Sequence, residues 1–68
     1  MKTQVSFGEN LKMLRNRKGI TQEELAEHLK IARQSISKWE QDLALPSLIF
    51  LRPLTKSLDC TLEELLQV

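Results

Sequence analysis

Three times in this 68-residue chain a hydroxyl residue is followed, three positions on, by a glutamate: Ser6 and Glu9, Thr21 and Glu24, Thr61 and Glu64. In this pattern the hydroxyl accepts a backbone N–H from the first helical turn. The glutamate reaches back to the N–H of the hydroxyl residue, so each satisfies a donor that the helix leaves bare. The spacing therefore predicts helix starts at about residues 7, 22 and 62. Strand signals are absent, because the β-branched residues are scattered and never alternate over four positions. The expected fold is all-α, with five short helices.

Helix 1 is expected from about Phe7, with Phe7, Leu11 and Leu14 inward and Met13 flanking. Gly8 weakens its first turn slightly. Arg17 and Lys18 suit its C-terminal dipole, and Gly19 can take a left-handed cap. Met1 to Val5 reads as a short loose arm. Leu25, Ala26 and Leu29 share one face of helix 2, and Lys30-Ile31-Ala32 forms a corner. Helix 3 runs from about Arg33 to Gln41, with Ile36, Trp39 and Glu40 inward. Pro46 closes the connection that follows, and Ser47 can cap helix 4, expected over 48–58 with Leu48, Leu51, Leu54 and Leu58 at helical spacing. Pro53 predicts a kink there or a helix that restarts. Helix 5 runs from Thr61 to the chain end. Trp39 is expected to pack toward helix 4, His28 to lie on a helix surface and Cys60 to fill a small buried space.

Two helices joined by a turn of roughly 3–4 residues make a helix-turn-helix, whose second helix can lie in the major groove of DNA. The outward face of helix 3 carries Arg33, Gln34, Ser37, Lys38 and Gln41, with Ser35 at its margin. That face holds two positive charges and no negative one. Arg can fork onto guanine and Gln onto adenine. A plain helical hairpin with a solvated polar face fits the same composition.

Length allows one small domain, residues 1–68, which would bury about 60% of its unfolded surface. No run of ~18 apolar residues is present, so no membrane span is expected. The segment MKTQVSFGEN has no apolar core of the secretory kind. The one cysteine, Cys60, can form neither an internal disulfide nor a zinc site. A cytoplasmic location, no cofactor and no small-molecule ligand are expected. The net charge of +1 argues against indiscriminate polyanion binding, but it is unevenly spread. Residues 1–41 hold eight Lys or Arg against five Glu, a balance of +3, and residues 42–68 hold two basic against four acidic residues, a balance of −2. Paired carboxylates, a nucleophile beside a base and metal-ligand spacing are all missing from the pattern, so no enzyme is expected.

Four fragments together resemble the helix-turn-helix domain of lambda repressor, Cro and related bacterial and phage regulators. They are LKMLRNRKGITQEELA (residues 11–26), RQSISKWE (33–40), LPSL (45–48) and TLEELL (61–66). The resemblance spans nearly the whole chain and implies sequence-specific binding of double-stranded DNA by a transcriptional regulator, a repressor, acting as a homodimer. It implies DNA contacts from Gln22, Arg33, Gln34, Ser35, Ser37 and Lys38. Gln22 would bond a phosphate and brace Gln34. Arg15 and Glu40 match the family's ion pair between helices 1 and 3. The dimer surface is placed at helix 5 and the loop before it, with Leu62, Leu65, Leu66 and Val68, which exceed what one small core needs.

The chain departs from that pattern at two places. Ala32 stands where the family usually has Ser or Thr to cap the reading helix, which forfeits about 1 kcal/mol. Gln41-Asp42-Leu43 stands where a turn such as Asn-Gly, then a basic or polar residue, offers contacts to phosphate. Asp42 and Leu43 supply neither positive charge nor easy left-handed geometry. A protein-interaction module on the same fold, as in antitoxin-like or anti-repressor partners, is therefore the alternative. Steep salt-sensitive retention on duplex DNA separates the two readings.

Overall fold

The structure is a computed structural model and describes residues 5–68. Of the loose arm expected at Met1 to Val5, all but Val5 lies outside the described residues. The elements are α1 (Phe7–Lys18), α2 (Gln22–Leu29), α3 (Arg33–Glu40), a 3-10 turn (Leu48–Phe50), α4 (Leu51–Leu58) and α5 (Leu62–Leu66). The described residues are thus all-α, with five helices. None of these helices is long and apolar enough to cross a membrane.

All three hydroxyl–glutamate pairs close as reciprocal caps. Glu9 N–H donates to Ser6 Oγ at 3.1 Å and Ser6 N–H to Glu9 Oε1 at 2.9 Å. The same two bonds form at Thr21 and Glu24, and at Thr61 and Glu64. Gly19 ends α1 at φ 79°. Lys30, Asp59 and Gln67 end α2, α4 and α5 in the same left-handed region without glycine. Ala32 gives α3 no side-chain cap, as its methyl group requires.

Pro53 changes the start of α4. The helix expected from Leu48 begins as a 3-10 turn and becomes α-helical only at Leu51. Pro53 is then the third helical residue, one of the four whose N–H has no intrahelical acceptor, so its missing donor costs no bond. Ser47 precedes the turn in extended geometry but its side chain caps nothing.

The core is built from Leu11 and Leu14 of α1, Leu25 of α2, Ile36 of α3, Leu54 and Leu58 of α4, and Leu65 of α5, all nearly or fully buried. Trp39 sits at the α3–α4 side with its ring centroid 5.5 Å from that of Phe50, tilted by 50°. Phe7, Ile20, Ile31, Phe50, Leu51 and Cys60 pack partly buried around this centre. Two leucines depart from their expected places. Leu48 is displaced into solvent because the 3-10 turn rotates it off the stripe of α4. Leu65, expected on a dimer surface, is fully buried in the chain's own core. Burial of such a side chain stabilises the fold by roughly 1.5–3 kcal/mol, so Leu65 is unavailable to a partner.

α1 is fastened to its neighbours by polar as well as apolar contacts. Buried Asn10 donates both amide hydrogens, at 2.9 Å each, to the carbonyls of Glu64 and Leu65 near the end of α5. Gly8 lies so close to the end of α3 that a Cβ there would stand 2.5 Å from the carbonyl oxygens of both Trp39 and Glu40. Its N–H donates to Asp42 Oδ1 at 2.9 Å. Asp42 adopts φ 61°, so the left-handed geometry that its sequence seemed to lack is present. Leu43 N–H then closes on Lys38 O at 2.9 Å, which terminates α3.

Candidate nucleic-acid interface

α2 and α3 meet at a corner made by Lys30, Ile31 and Ala32. Lys30 turns the chain in the left-handed region, and Ile31 N–H closes on Ala26 O at 3.0 Å while its side chain packs against the core. This fixes α3 with Ile36, Trp39 and Glu40 inward. The opposite side follows from the 100° step of the helix. Arg33, Gln34, Lys38 and Gln41 are exposed, and Ser35 and Ser37 are half-buried at the margins. The outward face therefore has the composition read from the sequence: two cations, amides and hydroxyls, no carboxylate.

The base of α3 is held by a chain of four polar side chains. Arg15 Nε donates to Glu40 Oε2 at 2.6 Å and Arg15 Nη2 to Glu40 Oε1 at 3.2 Å, a forked pair with both side chains largely out of water. Arg15 Nη1 also reaches the carbonyl of Ile20 at 2.9 Å. Gln22 Nε2 donates to Glu40 Oε1 at 3.0 Å. Arg33 Nη1 in turn donates to Gln22 Oε1 at 3.2 Å. Each acceptor of Glu40 is thereby used, and among the described residues no buried side-chain polar atom lacks a partner.

This network corrects one detail. Gln22 was expected to brace Gln34, but its amide oxygen takes Arg33 instead. Arg33 opens α3 on the side facing the start of α2, whereas Gln34, one step of 100° further round, points away from it. Gln34 is left exposed on the outward face. Ser37 is engaged too: Gln41 Nε2 donates to its hydroxyl at 2.8 Å and to its carbonyl at 3.2 Å. The Ser37 hydroxyl keeps its own hydrogen free to donate.

The surroundings are not uniformly basic. A cleft of about 460 Å³ beside Arg33 is lined by Thr21, Glu23, Glu24, Ala26, Glu27 and Ile31 as well. The carboxylates there oppose a phosphate approaching from the α2 side, so the attractive field is concentrated on α3 itself. Of the residues expected at a dimer surface, Leu62, Leu66 and Val68 are exposed and Leu65 is not.

Asn10, Gly8 and Asp42 were not singled out for these roles from the sequence. A signal existed for Asn10, a poor helix former three positions from Phe7 and four from Leu14 on the inner stripe. None existed for Gly8, whose close neighbours are backbone atoms of another helix.

Comparison with known proteins agrees with this geometry. The sequence model of the Helix-turn-helix family matches residues 11–65. The HTH-type transcriptional activator BcrR of Enterococcus faecalis is 42% identical over 62 residues, which cover 91% of this chain and 30% of that protein. This chain thus spans under a third of that relative's length. Among solved structures, SinR, the master regulator for biofilm formation, in complex with DNA superposes with a TM-score of 0.81 at 34% identity, covering 90% of this chain and 98% of that one. The P22 c2 repressor in complex with a synthetic operator superposes at 0.82 and 30% identity, covering 93% and 94%.

Proposed function

This chain belongs to the helix-turn-helix family, and from that premise we propose that it binds double-stranded DNA sequence-specifically as a dimer, with α3 in the major groove. The observation that supports this reading most is the outward face of α3, where Arg33, Gln34 and Lys38 stand exposed on a helix braced from behind by Gln22 and Glu40. Arg33 and Gln34 open the helix, the end that reaches base edges in this motif. Lys38 lies one turn on and suits phosphate or base. Ser35 and Ser37 offer hydroxyls at the edges of the same face. Gln22, the first residue of α2, takes a phosphate with the amide hydrogen that Glu40 leaves free, while its amide oxygen sets the direction of Arg33.

Repression is the direction we propose, because occupation of the groove alone excludes another protein from the same base pairs. Activation, named for the Enterococcus relative, requires a further contact with the transcription machinery.

The test is selection of bound sequences from a random duplex pool, followed by binding to single-base variants of the winner at several salt concentrations. A single enriched motif with two-fold symmetry is expected, with affinity falling steeply with salt. No enrichment over the starting pool would overturn the reading.

A further inference from the structure

The two ends of a glutamine amide have nearly the same shape, so packing alone does not choose between them. At Gln22 the choice is made by Glu40, which is 8% exposed. Glu40 Oε2 accepts from Arg15 Nε at 2.6 Å, and Oε1 accepts from Arg15 Nη2 at 3.2 Å and from Gln22 Nε2 at 3.0 Å. A carboxylate paired in this way accepts hydrogen bonds and donates none. Only the NH2 end of the Gln22 amide can therefore face it. The other end, Oε1, is turned toward the start of α3 and accepts from Arg33 Nη1 at 3.2 Å. Turning the amide over would set oxygen against carboxylate and NH2 against a guanidinium, which has donors and no acceptor. Both bonds would be lost at once.

We infer that Glu40 determines sequence specificity without touching a base: it is a positioning residue that fixes the Gln22 amide and, through it, holds Arg33 to read guanine. The inference rests on the DNA-binding reading of α3. Three observations carry it. The base of the relay is rigid, because Arg15 Nη1 is also tied to the Ile20 carbonyl at 2.9 Å and Glu40 is held by both prongs of the fork. The far end of the relay is loose without it. Arg33 is exposed, and among the described residues Gln22 Oε1 is its side chain's one hydrogen-bond acceptor. Arginine has much rotamer freedom to lose on binding, so a brace made beforehand favours the bound geometry. The brace uses one of five guanidinium N–H groups, and the others suffice for a fork onto guanine O6 and N7; adenine offers N7 beside a donor. Third, a competing position lies next to the braced one. Glu23, Glu24 and Glu27 line the cleft that Arg33 borders, so a released Arg33 has carboxylates to turn to in place of a base. Gln34 stands outside the relay, exposed on the outward face, and supplies an internal control.

The experiment compares the whole chain as wild type, Glu40→Gln, Gln22→Met, the double variant and Arg33→Ala, with circular dichroism as the check on folding. Glutamine at 40 keeps the shape but presents a donor or an acceptor, which frees the Gln22 amide to turn over. Methionine at 22 keeps the length without the amide. Each protein is bound to four duplexes that differ at the base whose preference Arg33→Ala relaxes, and to four that differ at the base Gln34 reads. Wild type is expected to prefer guanine at the first position. Glu40→Gln should lower that preference about fivefold, the net weight of one hydrogen bond, and leave the Gln34 base unchanged. Gln22→Met should lower it by a similar factor, and the double variant no further, because Glu40 acts through Gln22. A purely structural Glu40 would blur both positions alike, or would add its effect to that of Gln22→Met. Either result overturns the inference, as does a wild type that prefers another base there or a Glu40→Gln variant with undiminished guanine preference. Should Glu40→Gln not fold, side-chain NMR of the free wild type decides. One amide hydrogen of Gln22 should exchange more slowly than those of exposed Gln34, and equal exchange overturns the inference. A selection that enriches no duplex overturns the DNA reading instead, while exchange still shows how the Gln22 amide lies.

Discussion

Gly8 and Asp42 stand 34 positions apart in sequence, yet the glycine N–H donates to the aspartate carboxylate at 2.9 Å. The bond ties the first turn of α1 to the residue that ends α3. The hydroxyl of Ser6 bonds the same carboxylate, and these two contacts hold its pKa below the ordinary 3.8, with Ser6 the larger influence. A group whose folded pKa is depressed stabilises the fold above its unfolded value and loses that contribution as pH falls through the folded one. Asp42→Asn should therefore unfold earlier than wild type in urea at neutral pH. The gap between the two midpoints should close as pH drops below about 4. A gap that persists unchanged to pH 2 would show that the carboxylate's charge is not what holds the joint.

Gly8→Ala tests the same joint by sterics. On an exposed helix the change would gain about 1 kcal/mol of helix propensity. Here the added methyl would lie 2.5 Å from two backbone oxygens of α3, which cannot swing aside as a side chain can. The expected outcome is a net loss of about 1–3 kcal/mol, read as a lower denaturation midpoint. A more stable Gly8→Ala protein would contradict the close approach.

The Arg15–Glu40 pair is nearly buried and forked. Removing one partner leaves the other charge in a poorly solvated site, at a cost of about 3–5 kcal/mol. Glu40→Ala and Arg15→Ala should each fall toward that range. The double variant should cost much less than their sum, because the second substitution removes the stranded charge. Chemical denaturation of the four proteins makes the cycle. Strict additivity would mean that the two charges do not interact.

Separate readouts distinguish the residues that read from the residue that holds. Gln34→Ala should relax preference at one base position per half-site, by about 1–3 kcal/mol of discrimination. Arg33→Ala should do the same at a neighbouring position. Gln22→Ala should weaken every duplex to a similar extent, as the phosphate contact proposed for Gln22 requires. It should also blur the base read by Arg33, because Arg33 is the side chain it braces. The salt slope should stay nearly constant for both glutamine variants. It should fall by about one unit for Lys38→Ala if the ammonium sits on phosphate. Unaltered base preference in Gln34→Ala would remove α3 from the reading role.

What the sequence disclosed and what it withheld divide along a physical line. The helix starts at Ser6, Thr21 and Thr61 were legible because capping is a local bond between residues three apart. The inward stripes of α1, α2 and α3 were legible for the same reason of short-range periodicity. The family resemblance extended this to Arg15 with Glu40, which no local rule connects. The cross-chain joints were hidden: Gly8 against α3, Asn10 on α5 and Asp42 on α1 depend on which helix end arrives where. Leu65 shows the limit of counting leucines. Leu62, Leu65 and Leu66 are equally apolar, and only the helix phase, set by packing on α1 and α4, decides that Leu65 turns inward and the other two outward. The brace on Arg33 rather than Gln34 turns on a single residue step around α3.

Gln67 Nε2 donates to the carbonyl of Val5 at 2.9 Å. The first and last described stretches of backbone therefore leave the molecule at one corner, where α1 and α5 are already stitched by Asn10. In mechanical terms they form a single point of attachment. A tether running to either end pulls on the same seam, and its load reaches α1 and α5 before it reaches α3. Cargo fused at residue 5 or residue 67 would hang from that corner, and α3 would feel it by way of α1, whose first turn is bonded to Asp42.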